Sequence, residues 1–150
     1  MKVYIGADHR GFDYKTKIKK ILEKLGHEVF DVGTNDPECS CDYPRFAYEV
    51  ATKVAKFKNS RGILVCMSGI GQSIAANKVK GAYAALVYSV QSARLSRQHN
   101  NANILVIGME SIKAKDLKTV VEVWMNEKFE GGRHQRRFNL IKKIEAGKAI

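Results

Sequence analysis

Gly62-Ile63-Leu64-Val65-Cys66-Met67-Ser68-Gly69-Ile70-Gly71-Gln72-Ser73 is the stretch on which the fold turns. An apolar run of strand length stops at a thiol. Two glycines follow within five residues, and Ile74-Ala75-Ala76-Asn77 continues as a helix. Strand, glycine turn and helix in immediate succession make half of a βαβ unit, and the run Ile63 to Val65 carries no polar face. A strand of that kind needs apolar cover on both sides.

Working outward, the same alternation fills the chain. Strands are predicted over Lys2–Ala7, His27–Val32, Gly62–Cys66, Ala82–Tyr88 and Asn103–Ile107. Helices are predicted over Tyr14–Leu25, Phe46–Phe57, Gly71–Asn77, Ser89–Gln98, Lys113–Asn126 and Arg133–Ala149, from apolar residues at helical spacing such as Ile18, Ile21, Leu22 and Leu25. Gly26 and Gly33 punctuate the first two units. No repeat, linker or low-complexity segment interrupts them. The expectation is an α/β single-domain three-layer sandwich over residues 1–150: a five-stranded parallel sheet, Rossmann/flavodoxin-like, with helices on both faces. In a 2-1-3-4-5 strand order, adopted here as an assumption, the chain reverses direction between the first and third strands. Ligands bind beyond the C-terminal ends of strands at such a reversal. Asp8-His9 and Cys66 would then face one crevice.

The composition narrows the class. With 150 residues and 45% hydrophobic content, the chain can bury one full core. No apolar run approaches the roughly 20 residues of a membrane span, so no membrane partner is expected. Asp8 and His9 follow too closely on Met1 for a signal peptide, and a cytoplasmic location is the expectation. Three cysteines, Cys39, Cys41 and Cys66, form no complete disulfide framework. Cys39 and Cys41 lie in a polar stretch without further ligands at metal spacing, and read as a surface loop. The formal net charge of +11 admits nucleic acid, membrane surface or small anions as partners. Lys15, Lys17, Lys19, Lys20 and Lys24 crowd one predicted helix and read as a solvated face. A basic nucleic-acid-binding module would interleave aromatic and basic residues or show zinc-finger spacing; neither is present, so no nucleic-acid partner is expected.

Four groups of residues can carry chemistry. Ser68-Gly69-Ile70-Gly71 presents backbone N–H groups at a helix start, as an anion cradle or simply as a tight turn. Cys66, beside that helix start, is either a thiol of lowered pKa or a buried structural cysteine. Asp8-His9-Arg10-Gly11 puts an acid, an imidazole and a guanidinium at one strand end, and His99-Asn100 precedes the fifth strand; His27 has no such context and reads as surface. Gly131-Gly132-Arg133-His134-Gln135-Arg136-Arg137 opens the last helix. Arg133 and Arg137 share a face at i, i+4, and cations at a helix N-terminus oppose its dipole, which suits a bound anion or a solvated basic turn.

Together these motifs resemble a known family. Asp8-His9-x-Gly11, Asp42-Tyr43-Pro44, Gly62-Ile63-x-x-x-Cys66-x-Ser68-Gly69-Ile70-Gly71, Ser73-Ile74-Ala75-Ala76-Asn77-Lys78, Ala93-x-Leu95-Ser96-Arg97-x-His99-Asn100-x-x-Asn103 and Gly131-Gly132-Arg133-His134-x-x-Arg137 are similar to the type B ribose-5-phosphate isomerases, within the RpiB/LacAB sugar-phosphate isomerases. The resemblance runs over nearly the whole chain. It implies an aldose–ketose isomerase of the pentose phosphate pathway, interconverting ribose 5-phosphate and ribulose 5-phosphate. No cofactor and no metal are implied. The implied assembly is a homodimer or dimer of dimers with the active site at the subunit interface. Carried over residue by residue, Cys66 is the base between C1 and C2, Ser68 stands where the family has Thr, and His99 opens the sugar ring with help from Asp8. The backbone from Met67 through Gly69, Ile70 and Gly71 would hold the enediolate. His9, Tyr43, Asn100, Arg133, His134 and Arg137 would bind substrate, the arginines taking the phosphate.

The chain departs from the family pattern in places. Met67 replaces a usual Gly and would be strained if its φ were positive. Glu110 replaces a common phosphate-binding Arg and would repel the anion. Ser68 for Thr is a mild change. A six-carbon sugar phosphate (allose or galactose 6-phosphate), or a weakly catalytic sugar-phosphate-binding protein, is the alternative reading.

Overall fold

The computed structural model describes residues 1–150. Its strands are β1 (Lys2–Ala7), β2 (Glu28–Asp31), β3 (Arg61–Cys66), β4 (Ala84–Val87) and β5 (Ile104–Gly108). Its helices are α1 (Phe12–Lys24), α2 (Tyr43–Lys56), α3 (Ile70–Ala76), α4 (Val90–Gln98), α5 (Leu117–Asn126) and α6 (Arg133–Glu145). All pairings are parallel, in the order β2-β1-β3-β5-β4.

That order corrects the assumed 2-1-3-4-5. All five residues of β5 are buried, whereas only Val87 of β4 is. The strand with apolar residues on both faces takes the interior position, and the half-exposed strand takes the edge. The reversal between β1 and β3 survives, so the crevice at their C-terminal ends stands where the sequence located it.

Alternation along the strands divides the core in two. Val3, Ile5, Ala7, Ile63, Val65, Leu105 and Ile107 face α1, α4 and α5, where Ile18, Leu22, Val121 and Trp124 cover them. Tyr4, Leu64, Ile104 and Val106 face α2 and α3, covered by Val50, Val54 and Ala76. Some boundaries moved. Tyr43 opens α2 three residues early, because Pro44 is tolerated in a first turn. α5 starts only at Leu117, after a turn in which the Asp116 N–H donates to Lys113 O at 2.9 Å. α6 ends at Glu145, and Gly147 follows at φ 68.

One lysine leaves the expected solvated face. Lys15 is only 1% exposed, and its Nζ donates to Asp31 Oδ1 at 2.9 Å and to Thr34 O at 2.6 Å. The same Asp31 oxygen accepts from the Gly33 N–H at 3.0 Å. This cluster ties α1 to the segment that leaves β2. Lys15→Ala removes the closest cation from the Asp31 carboxylate and leaves it the Gly33 N–H and Lys19 Nζ at 4.0 Å. It should lower the unfolding free energy by about 3–5 kcal/mol, read as a reduced urea midpoint at unchanged slope.

Candidate active site

Parallel pairing sets the first half of the site. Ala7 lies opposite Val65, so Asp8 and Cys66 leave the sheet side by side. The Cys66 thiol donates to Asp8 Oδ2 at 2.8 Å, and Asp8 Oδ1 accepts from the Gly11 N–H at 3.0 Å. Asp8 is buried and Cys66 half-buried. Burial pushes the thiol pKa up to about 11, and the hydrogen bond to Asp8 and its charge add to the rise. The Met67 and Gly69 backbone N–H groups pull the other way. Of the two readings of Cys66, the thiol of lowered pKa is therefore not the one realised. The amides of the helix start do favour thiolate, but burial and a carboxylate brought in from β1 outweigh them.

The turn behind the thiol is tightly built. Gly69 is left-handed at φ 76, and a Cβ there would come within 2.7 Å of Leu86. A Cβ on Gly71 would overlap the Tyr43 ring, which lies across the turn. The Ser68 hydroxyl accepts from the Ile70 N–H at 3.4 Å. Met67 is free of the strain anticipated for it: the non-glycine residues with positive φ are Asn59 and Asn101. Glu110 stands beside the turn, its N–H donating to Met67 O at 3.2 Å. His9 completes this half. Its Nδ1 accepts from the Cys41 N–H at 3.4 Å and lies 3.8 Å from the Cys41 sulfur. Cys41 is thus packed against a site residue; only Cys39 keeps the fully exposed character expected of both.

A second cluster gathers around His99. His99 follows α4, and its N–H donates to Leu95 O at 2.9 Å. His134, in the first turn of α6, is buried and stacks on it, with centroids 4.1 Å apart and planes 5° apart. Glu130 Oε2 stands 3.9 Å from His99 Nε2 and 3.6 Å from His134 Nε2. No hydrogen bond reaches His134 Nε2. Burial lowers the His134 pKa, as do His99, Arg133 and Arg137, while Glu130 opposes them. Asn100, His134 and Arg137 share with His99 a cavity of about 210 Å³, closed by Phe138 and Ile141. Arg133 is exposed one turn before Arg137. The sequence reading passed over Glu130, although Glu130 and His134 stand at i, i+4. His27, read as surface, is partly buried, with an unpaired Nδ1.

His99, Glu130 and His134 each offer one ligand atom, all within 4.8 Å of one another. An ion in the plane of one ring would lie far out of the plane of its stacked neighbour. As they stand, the two imidazoles cannot both direct a lone pair at one metal. Glu130 stands beyond hydrogen-bond but within ion-pair distance of both Nε2 atoms, and so bears on the charge of the stacked pair.

The two clusters occupy opposite ends of the sheet. Gly62 pairs with Ile104 and Cys66 with Gly108. His99 precedes the first of those levels and Cys66 closes the second. Four residues of strand separate the levels, roughly 13 Å.

A family model described as Ribose/Galactose Isomerase matches residues 3–141. The chain is 43% identical over 144 residues to ribose-5-phosphate isomerase B of Escherichia coli (strain K12), covering 96% of each. Among solved structures, ribose-5-phosphate isomerase B from Mycoplasma genitalium, with bound ribulose-5-phosphate, superposes with a TM-score of 0.93 at 41% identity, over 97% of this chain and 96% of that one. The Clostridium thermocellum ribose-5-phosphate isomerase B gives a TM-score of 0.91 at 43% identity, over 98% and 99%.

The raised thiol pKa is open to test. Asp8→Asn keeps an acceptor for the Gly11 N–H and removes the charge beside the sulfur. The apparent Cys66 pKa, read from the pH dependence of iodoacetamide alkylation followed by peptide mass spectrometry, should fall below the wild-type value of about 11. An unchanged or higher value would show that Asp8 does not hold the proton on sulfur.

Proposed function

The chain belongs to the ribose/galactose isomerase family, and on that premise we propose how its residues divide the interconversion of ribose 5-phosphate and ribulose 5-phosphate. The observation that carries the reading is the Cys66 thiol, 2.8 Å from the buried Asp8 carboxylate and facing the Met67 and Gly69 amides. Asp8 accepts the thiol proton as substrate enters. The thiolate then removes the proton from C2 of the open-chain aldose. Electrons from that C–H bond form the C1–C2 double bond, and the aldehyde oxygen becomes the enediolate oxygen. Backbone N–H groups of the Met67–Gly71 turn stabilise this anion. The proton returns from sulfur to C1, and the Ser68 hydroxyl relays the remaining proton from O2 to O1. A carbonyl at C2 results, and atoms and charge balance without a redox partner.

His99 opens the furanose ring before this step. It moves the anomeric hydroxyl proton, while His134 and Glu130 fix its ring plane and share its charge. His134 acts through His99 and is a positioning residue. Arg137, with Arg133 one turn away, holds the phosphate by charge-assisted hydrogen bonds. His9, Tyr43 and Asn100 contact the sugar. Glu110, beside Met67, disfavours a phosphate on its own side of the turn, which directs that group toward the arginines. The six-carbon alternative is not favoured, because relatives at 43% and 39% identity are named ribose-5-phosphate isomerase B.

One chain holds these two halves at opposite ends of its sheet, so the working site takes Cys66 from one protomer and His99 with Arg137 from another. A homodimer is the smallest assembly that does this, with a dimer of dimers as its doubling. The exposed Ile70 and Ile74 of α3 and Tyr88 beyond the edge strand β4 provide an apolar face for it.

Cys66→Ala should cut turnover by about 10²–10⁴-fold with little change in substrate affinity, and solvent deuterium should no longer enter the sugar. Turnover above roughly a hundredth of wild type would remove Cys66 from the role of base. Co-expression tests the sharing of sites. Random pairing of Cys66→Ala and His99→Asn chains makes half the dimers mixed, each with one intact site, so about a quarter of wild-type activity should return. No recovery in isolated mixed dimers would confine both residues to a site within one chain.

A further inference from the structure

The largest cavity of the molecule has no part in this chemistry. It encloses about 490 Å³. Arg61 at the start of β3 and Asn103 just before β5 place it at the N-terminal ends of the strands, the end of β3 remote from Cys66. Its volume lies within the roughly 300–1,000 Å³ of small-molecule sites.

The charge of its wall is one-sided. Lys58, Arg61 and Arg97 line it, and no Asp or Glu does. Neither arginine has a carboxylate partner. Arg61 Nη1 donates to Trp124 O at 2.7 Å and Met125 O at 2.8 Å, beyond which α5 ends. Arg97 Nη1 donates to Asn101 Oδ1 at 3.1 Å and Ala102 O at 2.5 Å. Glu145 Oε1 accepts from the N–H of Gly81, a lining residue, at 2.6 Å and its Oε2 from the Tyr83 hydroxyl at 3.2 Å, while Glu127 spends its carboxylate on Arg94 at 3.2 Å and Gln98 at 2.9 Å. Arg97 is only 8% exposed, and its Nε meets no hydrogen-bond partner. Burial pulls the Arg61 pKa down to about 10, and the charge of Arg97 adds to the fall. The two guanidiniums both lie over the Trp124 ring, 5.1 and 5.9 Å from its centroid, and line the cavity without a carboxylate partner.

The remaining polar groups also offer donors. Asn101 Oδ1 is taken by Arg97, which leaves its amide N–H groups; the Asn59 side chain makes no hydrogen bond of its own. Asn59 and Asn101, at φ 63 and φ 49, are the non-glycine residues of left-handed backbone, and both line this cavity. Phe57 adds an aromatic ring, 40% exposed, to the same wall. A space of this size with three cations, spare donors and no acid is complementary to a multiply charged anion.

We propose that this cavity at the N-terminal edge of the sheet is a second binding site, separate from the isomerase centre, for a small organic phosphate such as a nucleoside diphosphate or a sugar phosphate. The Arg97 guanidinium at its back holds the Asn101–Ala102 backbone, which directly follows His99 and Asn100. A ligand engaging Arg97 therefore bears on the segment that carries the ring-opening histidine. The proposal does not rest on the isomerase reading, since none of its residues belongs to that site.

Calorimetric titration of the full chain at low ionic strength with sodium pyrophosphate, ADP and ribose 5-phosphate tests it. Pyrophosphate or ADP should bind the wild type and Arg137→Ala alike. Affinity should fall at least about tenfold in Lys58→Glu, and should weaken on adding salt. Lys58 is exposed, so its reversal leaves the fold intact, and an unshifted ligand-free Tm checks that. Arg97→Gln, which removes the buried charge, should lose binding as well. ADP binding more tightly than pyrophosphate identifies a nucleotide site with Phe57 against the base. A second ribose 5-phosphate event that survives Arg137→Ala and disappears in Lys58→Glu identifies a sugar-phosphate site. No binding of any probe at millimolar concentration overturns the proposal, as does binding that is lost in Arg137→Ala and kept in Lys58→Glu.

Discussion

Complete burial of β3 is the constraint on which the molecule depends. Ile63, Leu64 and Val65 are fully buried, and the strand is paired on both edges, to β1 and β5. Every backbone polar group of such a strand must find its partner in the sheet. Its register, and the point where it stops, are therefore fixed more firmly than those of any edge element. Cys66 is the residue at which it stops. The left-handed Gly69 bends the chain away at once, and α3 then packs back through Ala76 against the lower face. The thiol stands at the end of a buried strand held on both edges, as a site that must hold its geometry requires.

The environment of Cys66 sets two demands against each other. A thiol that abstracts a proton must become a thiolate, yet burial and the Asp8 carboxylate both favour the neutral form. The amides of Met67 and Gly69 favour the anion. This balance favours the protonated thiol. On the proposed reading it also supplies the two things the reaction uses, an acceptor for the thiol proton at 2.8 Å and N–H donors near the developing oxyanion. A thiol of depressed pKa would be ionised at rest, and open to alkylation and oxidation.

The remaining chemistry is distributed by strand direction. In a parallel sheet every strand presents its C-terminal end on the same side. Residues that end strands, Asp8 and Cys66, meet there; residues that precede strands, His99 and Asn100, collect at the other side. On the proposed reading a second protomer completes the site, and α6 carries His134 and Arg137. That helix is attached mainly by Phe138 stacking edge-on to Tyr83 at 4.7 Å, and by Glu145 bonded to the Gly81 N–H at 2.6 Å. Its Ile141 and Ile144 remain outside the core.

The sequence by itself determined the class of fold and the number and kind of its elements. Those follow from local periodicity and glycine placement, which adjacent residues record. It also determined the candidate residues, since each motif is contiguous and its chemistry is that of its side chains. Only the tertiary structure decided the place of β5 inside β4, because strand order depends on the burial each strand achieves against the others. Only the folded chain shows Lys15 buried on Asp31, although its lysine-rich neighbourhood reads as solvated. The same holds for the direction of the Cys66 pKa, which depends on a carboxylate fifty-eight positions away in the chain. It holds too for the stack of His99 on His134, thirty-five positions apart by their numbers. Electrostatics and stacking depend on distance in space, and a chain records distance only along itself.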